Sequence, residues 1–128
     1  MAVGLGASAA ALLCAAITAN SFTSFATGNA YLGVGDSTTA YSGAQTDLQA
    51  ATNKLRKGMY SGTYPIVASN VITFKSTFLD AEAVWNWQEI GIFNAAAAGV
   101  MLTRDVPGSL GVKPSNQTWD LTVNLTIT

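Results

Sequence analysis

TWDLTVNLTIT, residues 118–128, alternates without a break. Trp119, Leu121, Val123, Leu125 and Ile127 fall on one side, and Thr118, Asp120, Thr122, Asn124, Thr126 and Thr128 on the other. Successive strand side chains face opposite ways, so this period of two, with threonine on the wet side, predicts a half-buried antiparallel strand. VITFKSTFL, residues 71–79, repeats the pattern, setting Ile72, Phe74 and Phe78 against Thr73, Lys75 and Thr77. The Ser69-Asn70 pair just before it predicts a turn back to residues 65–68, and hence a hairpin.

Working outward, NAYLGV (29–34) reads as a first strand, residues 54–60 as extended chain, and GVMLTR (99–104) as another strand. VWNWQEIGIFN (84–94) reads as one long strand with Trp85, Trp87, Glu89, Gly91 and Phe93 on a common side. QTDLQAAT (45–52) suits a short helix, while Gly35–Gly43, Asn94–Gly99 and Asp105–Gly111 carry the glycine, proline and small polar residues of loops. Many short strands parted by turns, with no strand–helix alternation, predict a mainly β fold: an antiparallel β-sandwich or jelly-roll-like domain with an N-terminal apolar helix or arm. The expected division is 1–28 for the arm and 29–128 for the β domain.

The chain has 128 residues, enough for one domain with a real core and no need of disulfides or metals. Charged residues are only 10% of it, against about 25% in ordinary soluble domains. A surface so poor in charge is expected to be covered by other protein. The formal net charge of −1 provides no basic stripe for nucleic acid. There is no histidine, which excludes Ser–His–Asp and Cys–His catalysis and any histidine-based zinc site. The single cysteine, Cys14, is expected to be a small buried hydrophobe.

No charge precedes Asp36, and MAVGLGASAAALLCAAITA (1–19) is alanine-rich and favours helix. A cleavable leader calls for basic residues that this run lacks. A membrane span calls for about 20 strongly apolar residues, whereas Gly4, Gly6, Ser8 and Thr18 dilute this one. Packing on this domain's own sheet, or on a neighbouring subunit, is expected instead.

Several motifs imitate active sites. Gly35-Asp36-Ser37 after a strand resembles the nucleophile block of GDS-type lipases, but no histidine exists to take the serine proton. Gly4, Gly6 and Ala9 imitate a dinucleotide loop without the strand before it or the acid after it. Asp80 with Glu82 is expected to be a solvated turn. Glu89 is weighed with Asp105 as a glycosidase pair, but its expected role is a cross-strand ion pair with Arg104 that fixes register. Asp36 and Asp47 lack calcium-loop spacing. Trp85 and Trp87 are expected in the core, with sugar stacking as the alternative. Asn116 and Asn124 open formal glycosylation sequons. No catalytic, cofactor or metal residue is therefore expected.

Taken in order, the pieces resemble virion structural proteins of tailed bacteriophages, particularly small accessory proteins and tail-collar fibre domains. YLGVGD (31–36) with Thr38, Thr39 and Ala40 is similar to the family's glycine-rich opening, and Thr46, Asp47 and Leu48 with Arg56 and Lys57 to its next stretch. Residues 71–78 match its Phe-ended strand, EIGIFN (89–94) its E-x-G-I/L-F-N/D element, and residues 99–104 its G-x-L-L-x-R run. Lys113 and the closing strand complete the order. The resemblance covers residues 29–128 and implies a non-enzymatic, oligomeric virion protein without cofactor. Its partners would be copies of itself and other virion proteins such as a major capsid or tail protein, with no nucleic acid or membrane. The uncharged N-terminal run departs from the collar pattern, and no long fibre shaft follows. That favours a capsid-decoration (cement) or head–tail accessory subunit over a tail-fibre, collar or receptor/glycan-binding module.

Overall fold

The computed structural model describes residues 6–18 and 21–128. One helix, α1 (Ala7–Ile17), precedes seven strands: β1 (Tyr31–Gly35), β2 (Lys54–Gly58), β3 (Ile66–Ala68), β4 (Val71–Phe78), β5 (Glu89–Phe93), β6 (Met101–Asp105) and β7 (Trp119–Thr126). They form two antiparallel sheets, one ordered β2-β1-β5-β6 and the other β3-β4-β7. The fold is thus mainly β, as the alternating runs predict.

The β3–β4 hairpin turns at Ser69 and Asn70 as expected, pairing Val67 with Ile72. β7 lies on the far side of β4 in unbroken register, from Val71 opposite Thr126 to Phe78 opposite Trp119. Phe74 and Phe78 from β4 and Leu121, Val123 and Leu125 from β7 enter one buried cluster with Leu32 and Val34 of β1 and Ile90 and Ile92 of β5. Both sheets therefore contribute to the same core. The wet face of the β4–β7 pair is laced by short polar contacts: Thr73 Oγ1 donates to Asn124 Oδ1 (2.8 Å) and Thr77 Oγ1 to Asp120 Oδ1 (2.5 Å).

Three expectations give way here. Residues 45–52 form no helix, because the Gln49 and Ala50 N–H groups that a helix would spend on its own carbonyls donate to the Glu89 carboxylate. The 84–94 run is not one strand. Before Glu89 the chain is irregular and pairs with residues 110–113: Trp87 N–H donates to Gly111 C=O, and Lys113 N–H to Trp85 C=O. That break separates the aromatics expected on one face. Trp87 stacks edge-on with Phe78 and Trp119 in the main core, whereas Phe93 packs with Leu48 and Met101 elsewhere. Finally, Cys14 is exposed. α1 rests on β6 through one side only, burying Ala9 and half-burying Leu12, so position 14 faces away.

α1 begins where Ala7 N–H donates to Gly43 C=O (3.1 Å) and ends where Thr18 folds its N–H and hydroxyl onto Cys14 C=O. Gly6 lies so close to this loop that a Cβ would stand 3.2 Å from the Tyr41 hydroxyl and 3.3 Å from Gly43 O. The expected helix is therefore present over residues 7–17 and packs on its own chain; Met1–Leu5 and residues 19–20 of that run lie outside the described residues.

Truncating Phe78 to alanine is expected to cost about 3–5 kcal/mol in urea unfolding, since it removes a ring from the shared core. Val112→Thr, at an exposed site, should stay within about 0.5 kcal/mol of the parent.

Candidate functional site

The polar residues singled out in the sequence converge on the sheet carrying β1 and β5. Glu89 and Arg104 are both fully shielded from solvent, and Arg104 Nε donates to Glu89 Oε2 at 2.5 Å. The strands place Arg104 opposite Gly91, so the pair is diagonal across β5 and β6. Each nitrogen and oxygen of the two charged groups has a partner. Glu89 accepts the Gln49 and Ala50 N–H groups at 2.9 Å each, and Arg104 reaches Gln45 Oε1 and Thr39 C=O. The expected ion pair is present, and besides joining two strands it fastens the 36–53 loop. Gly35 faces Glu89 across β1 and β5, and a Cβ there would collide with the carboxylate.

A second layered arrangement lies alongside. Gly33 of β1 is opposite Gly91 of β5, leaving a floor without side chains on which the Phe93 ring lies. The Arg56 guanidinium covers that ring at 3.6 Å and donates to Asp47 Oδ1 and to the Ala95 and Ala98 carbonyls. Lys54 also pairs with Asp47 at 2.9 Å. Burial pushes the Asp47 carboxyl up, but the bonds from Arg56 and Lys54 outweigh it and hold the group below its usual range. Sequence reasoning missed this stack; the signal was a cation opposite one of two paired glycines, with an aromatic two residues on.

The other candidates also take fastening roles. Glu82 is held by Lys57 at 2.6 and 2.9 Å and accepts Leu79 N–H, bonds that lower its pKa. Asp80 accepts the Thr118 hydroxyl, and Asp36 the Asn53 amide. Lys113 is wholly buried, donating to the carbonyls of Leu79, Asp80 and Pro114. Among the described residues no cluster of three or more acids or cysteines is placed to hold a metal. Trp87 is 2% exposed and donates to Ala83 C=O.

Beside Asp47, Lys54 and Arg56 lies a concavity of about 300 Å³ of mixed polarity, and a second open surface is apolar. A groove of about 370 Å³ runs between α1 and the β3-β4-β7 sheet, bounded by Leu12, Leu13, Phe22, Val67, Leu102 and Ile127 among others, none of them charged. Of its lining, Val67 is 70% exposed and Leu13, on α1, 51%. Isolated surface aliphatics are ordinary, whereas these form a contiguous group around a concave, uncharged surface. Comparison with known proteins contributes no relative, since neither a family model nor a curated protein matches the chain.

Glu89→Gln is expected to lower stability by about 3–5 kcal/mol, because it leaves the Arg104 cation buried without a counter-charge. Hydrogen exchange should show the Gln49 and Ala50 amides opening first, and an unchanged urea midpoint would rule out the clamp. Acid acts through the exposed pairs. Glu82 and Asp47 are more acidic folded than unfolded, so their stabilisation is complete above the unfolded values of 4.5 and 3.8 and is lost as pH falls through the lower folded ones. Urea midpoints should therefore decline below about pH 4.5, the ordinary glutamate value, and Glu82→Gln should blunt the decline.

Proposed function

We propose that this chain is a non-enzymatic structural protein of a tailed-bacteriophage virion, assembled in symmetric copies as a capsid-decoration or head–tail accessory subunit. The observation that carries the reading is the uncharged groove beside α1, a surface suited to a neighbouring virion protein and unsuited to water. The helix is not a free arm in this reading. Packed on β6, it supplies one wall of the groove, and the neighbour covers the rest.

Two further points support it. Eight of the residues carrying the bacteriophage resemblance, Gly35, Thr39, Asp47, Leu48, Arg56, Glu89, Phe93 and Arg104, meet in two neighbouring networks around one sheet, while its 71–78 and 118–128 strands lie in the other. The finer reading of the fold is a β-sandwich or jelly-roll-like domain, and two antiparallel sheets that contribute to one core support it. The polar constellations around Glu89 and Asp47 make internal bonds between distant segments, which suits a structural role. The reading assigns no cofactor, nucleic acid or membrane; among the described residues no helix is long and apolar enough to cross one.

A second reading, a tail-fibre, collar or glycan-binding module, draws on Tyr60, which is exposed, lies edge-on to Tyr64 and has Lys75 at 4.4 Å from its ring. The buried Trp87 offers sugars nothing.

Mass spectrometry of purified particles of the source virus is expected to find the chain in fixed multiples of the shell or tail proteins. Absence from particles overturns the proposal. Within particles, Val67→Lys should reduce incorporation at least about tenfold by placing an ammonium where an apolar neighbour packs. Glycan-array binding lost in Tyr60→Ala, with incorporation intact, would favour the second reading.

A further inference from the structure

An edge strand offers a row of unpaired N–H and C=O groups, and proteins blunt such edges with charge, proline, bulges, brevity or a covering element. Three of the four edges here are blunted. β3 has three residues and follows Pro65. β2 carries Lys54, Arg56 and Lys57, and its Lys57 carbonyl is taken by the Ser76 hydroxyl. β6 is covered by α1 and pairs with β5 through an irregular register.

β7 has only one of these protections, a single charge. It is eight residues long and regular, with no proline, lysine or bulge. Its one charge, Asp120, is already engaged by Thr77 and by Lys75 at 3.5 Å. Among the described residues, no backbone group outside β4 bonds to the backbone of β7.

We infer that β7 pairs antiparallel with β7 of a second copy across a two-fold axis, fusing two three-stranded sheets into one of six. This rests on the assembly reading and identifies one of its contacts. The strand is complementary to itself when the axis passes at Val123. Thr122 then faces Asn124 of the second copy, repeating the Thr73–Asn124 contact already made inside the chain. Asp120 faces Thr126, so no like charges meet. On the core side Leu121 faces Leu125, and Ile127, 55% exposed in the single chain, comes opposite the half-buried Trp119. Both contacts occur twice by symmetry. Leu125 and Ile127 also line the apolar groove, so pairing brings the two grooves towards one another.

Sedimentation equilibrium on the full chain tests this, with far-ultraviolet circular dichroism to verify folding of each variant. The parent is expected to dimerise. Thr122→Lys with Asn124→Lys sets ammonium against ammonium twice and should weaken the dimer at least about tenfold. Thr122→Glu with Asn124→Glu should weaken it equally, and an equimolar mixture of the two variants should restore dimers. A parent that stays monomeric at millimolar concentration overturns the inference, as do charged variants that dimerise like the parent. A dimer lost in Val67→Lys but kept in both charged variants overturns it too, by placing the contact in the groove. Particle mass spectrometry separates the two proposals: a dimer of a chain absent from particles leaves the edge pairing standing and removes the virion reading.

Discussion

A carboxylate and a guanidinium, both out of reach of water, meet where β5, β6 and the 36–53 loop come together. Withdrawing such groups from solvent costs several kcal/mol each, and their mutual attraction offsets this only when every other lone pair and proton is also satisfied. That requirement shapes the surroundings. It draws Thr39, Gln45, Gln49 and Ala50 inward as bonding partners, keeps the loop from becoming a helix, and demands glycine at position 35. The loop in turn receives the start of α1 at Gly43, so the placement of the helix and the shape of the groove follow from the same pair.

The scarcity of charge takes on a different meaning once partners are known. Of the six cations in the chain, Lys54, Arg56, Lys57, Lys75 and Arg104 pair with acids, and Lys113 with carbonyls. The ionic groups are fasteners between distant segments, while hydroxyls and amides wet the outer faces. A chain that spends its charges internally has few left to repel its neighbours, which is the physical ground for reading it as an assembling subunit.

Where a segment's surroundings are local, its sequence revealed it. β4 and β7 stood out because one face is core and the other water, and period two follows directly from that. The Glu89–Arg104 pair was legible because an acid among apolar strand residues needs a cation nearby. Other features depended on contacts distant in the chain. Residues 45–52 have helical composition, yet Glu89 takes the amides a helix needs. The aromatic stripe at 85–93 was read through a continuous strand, and the loop at 110–113 interrupts it by bonding to Trp85 and Trp87. Cys14 looked like a core residue because its neighbours are apolar, but an eleven-residue helix lying on a single strand cannot bury all its sides. Nothing in the local sequence announced the groove, whose walls come from segments as far apart as Leu12 and Ile127.

Lys113 differs from the other cations in what holds it. Its ammonium is gripped by peptide oxygens of Leu79, Asp80 and Pro114, and peptide oxygens do not titrate. Acid that discharges the carboxylates therefore leaves this knot tied. The closing segment is thus tied in two ways, by an ammonium held on peptide oxygens and by two carboxylates, that of Asp80 on Thr118 and that of Asp120 on Thr77 and Lys75.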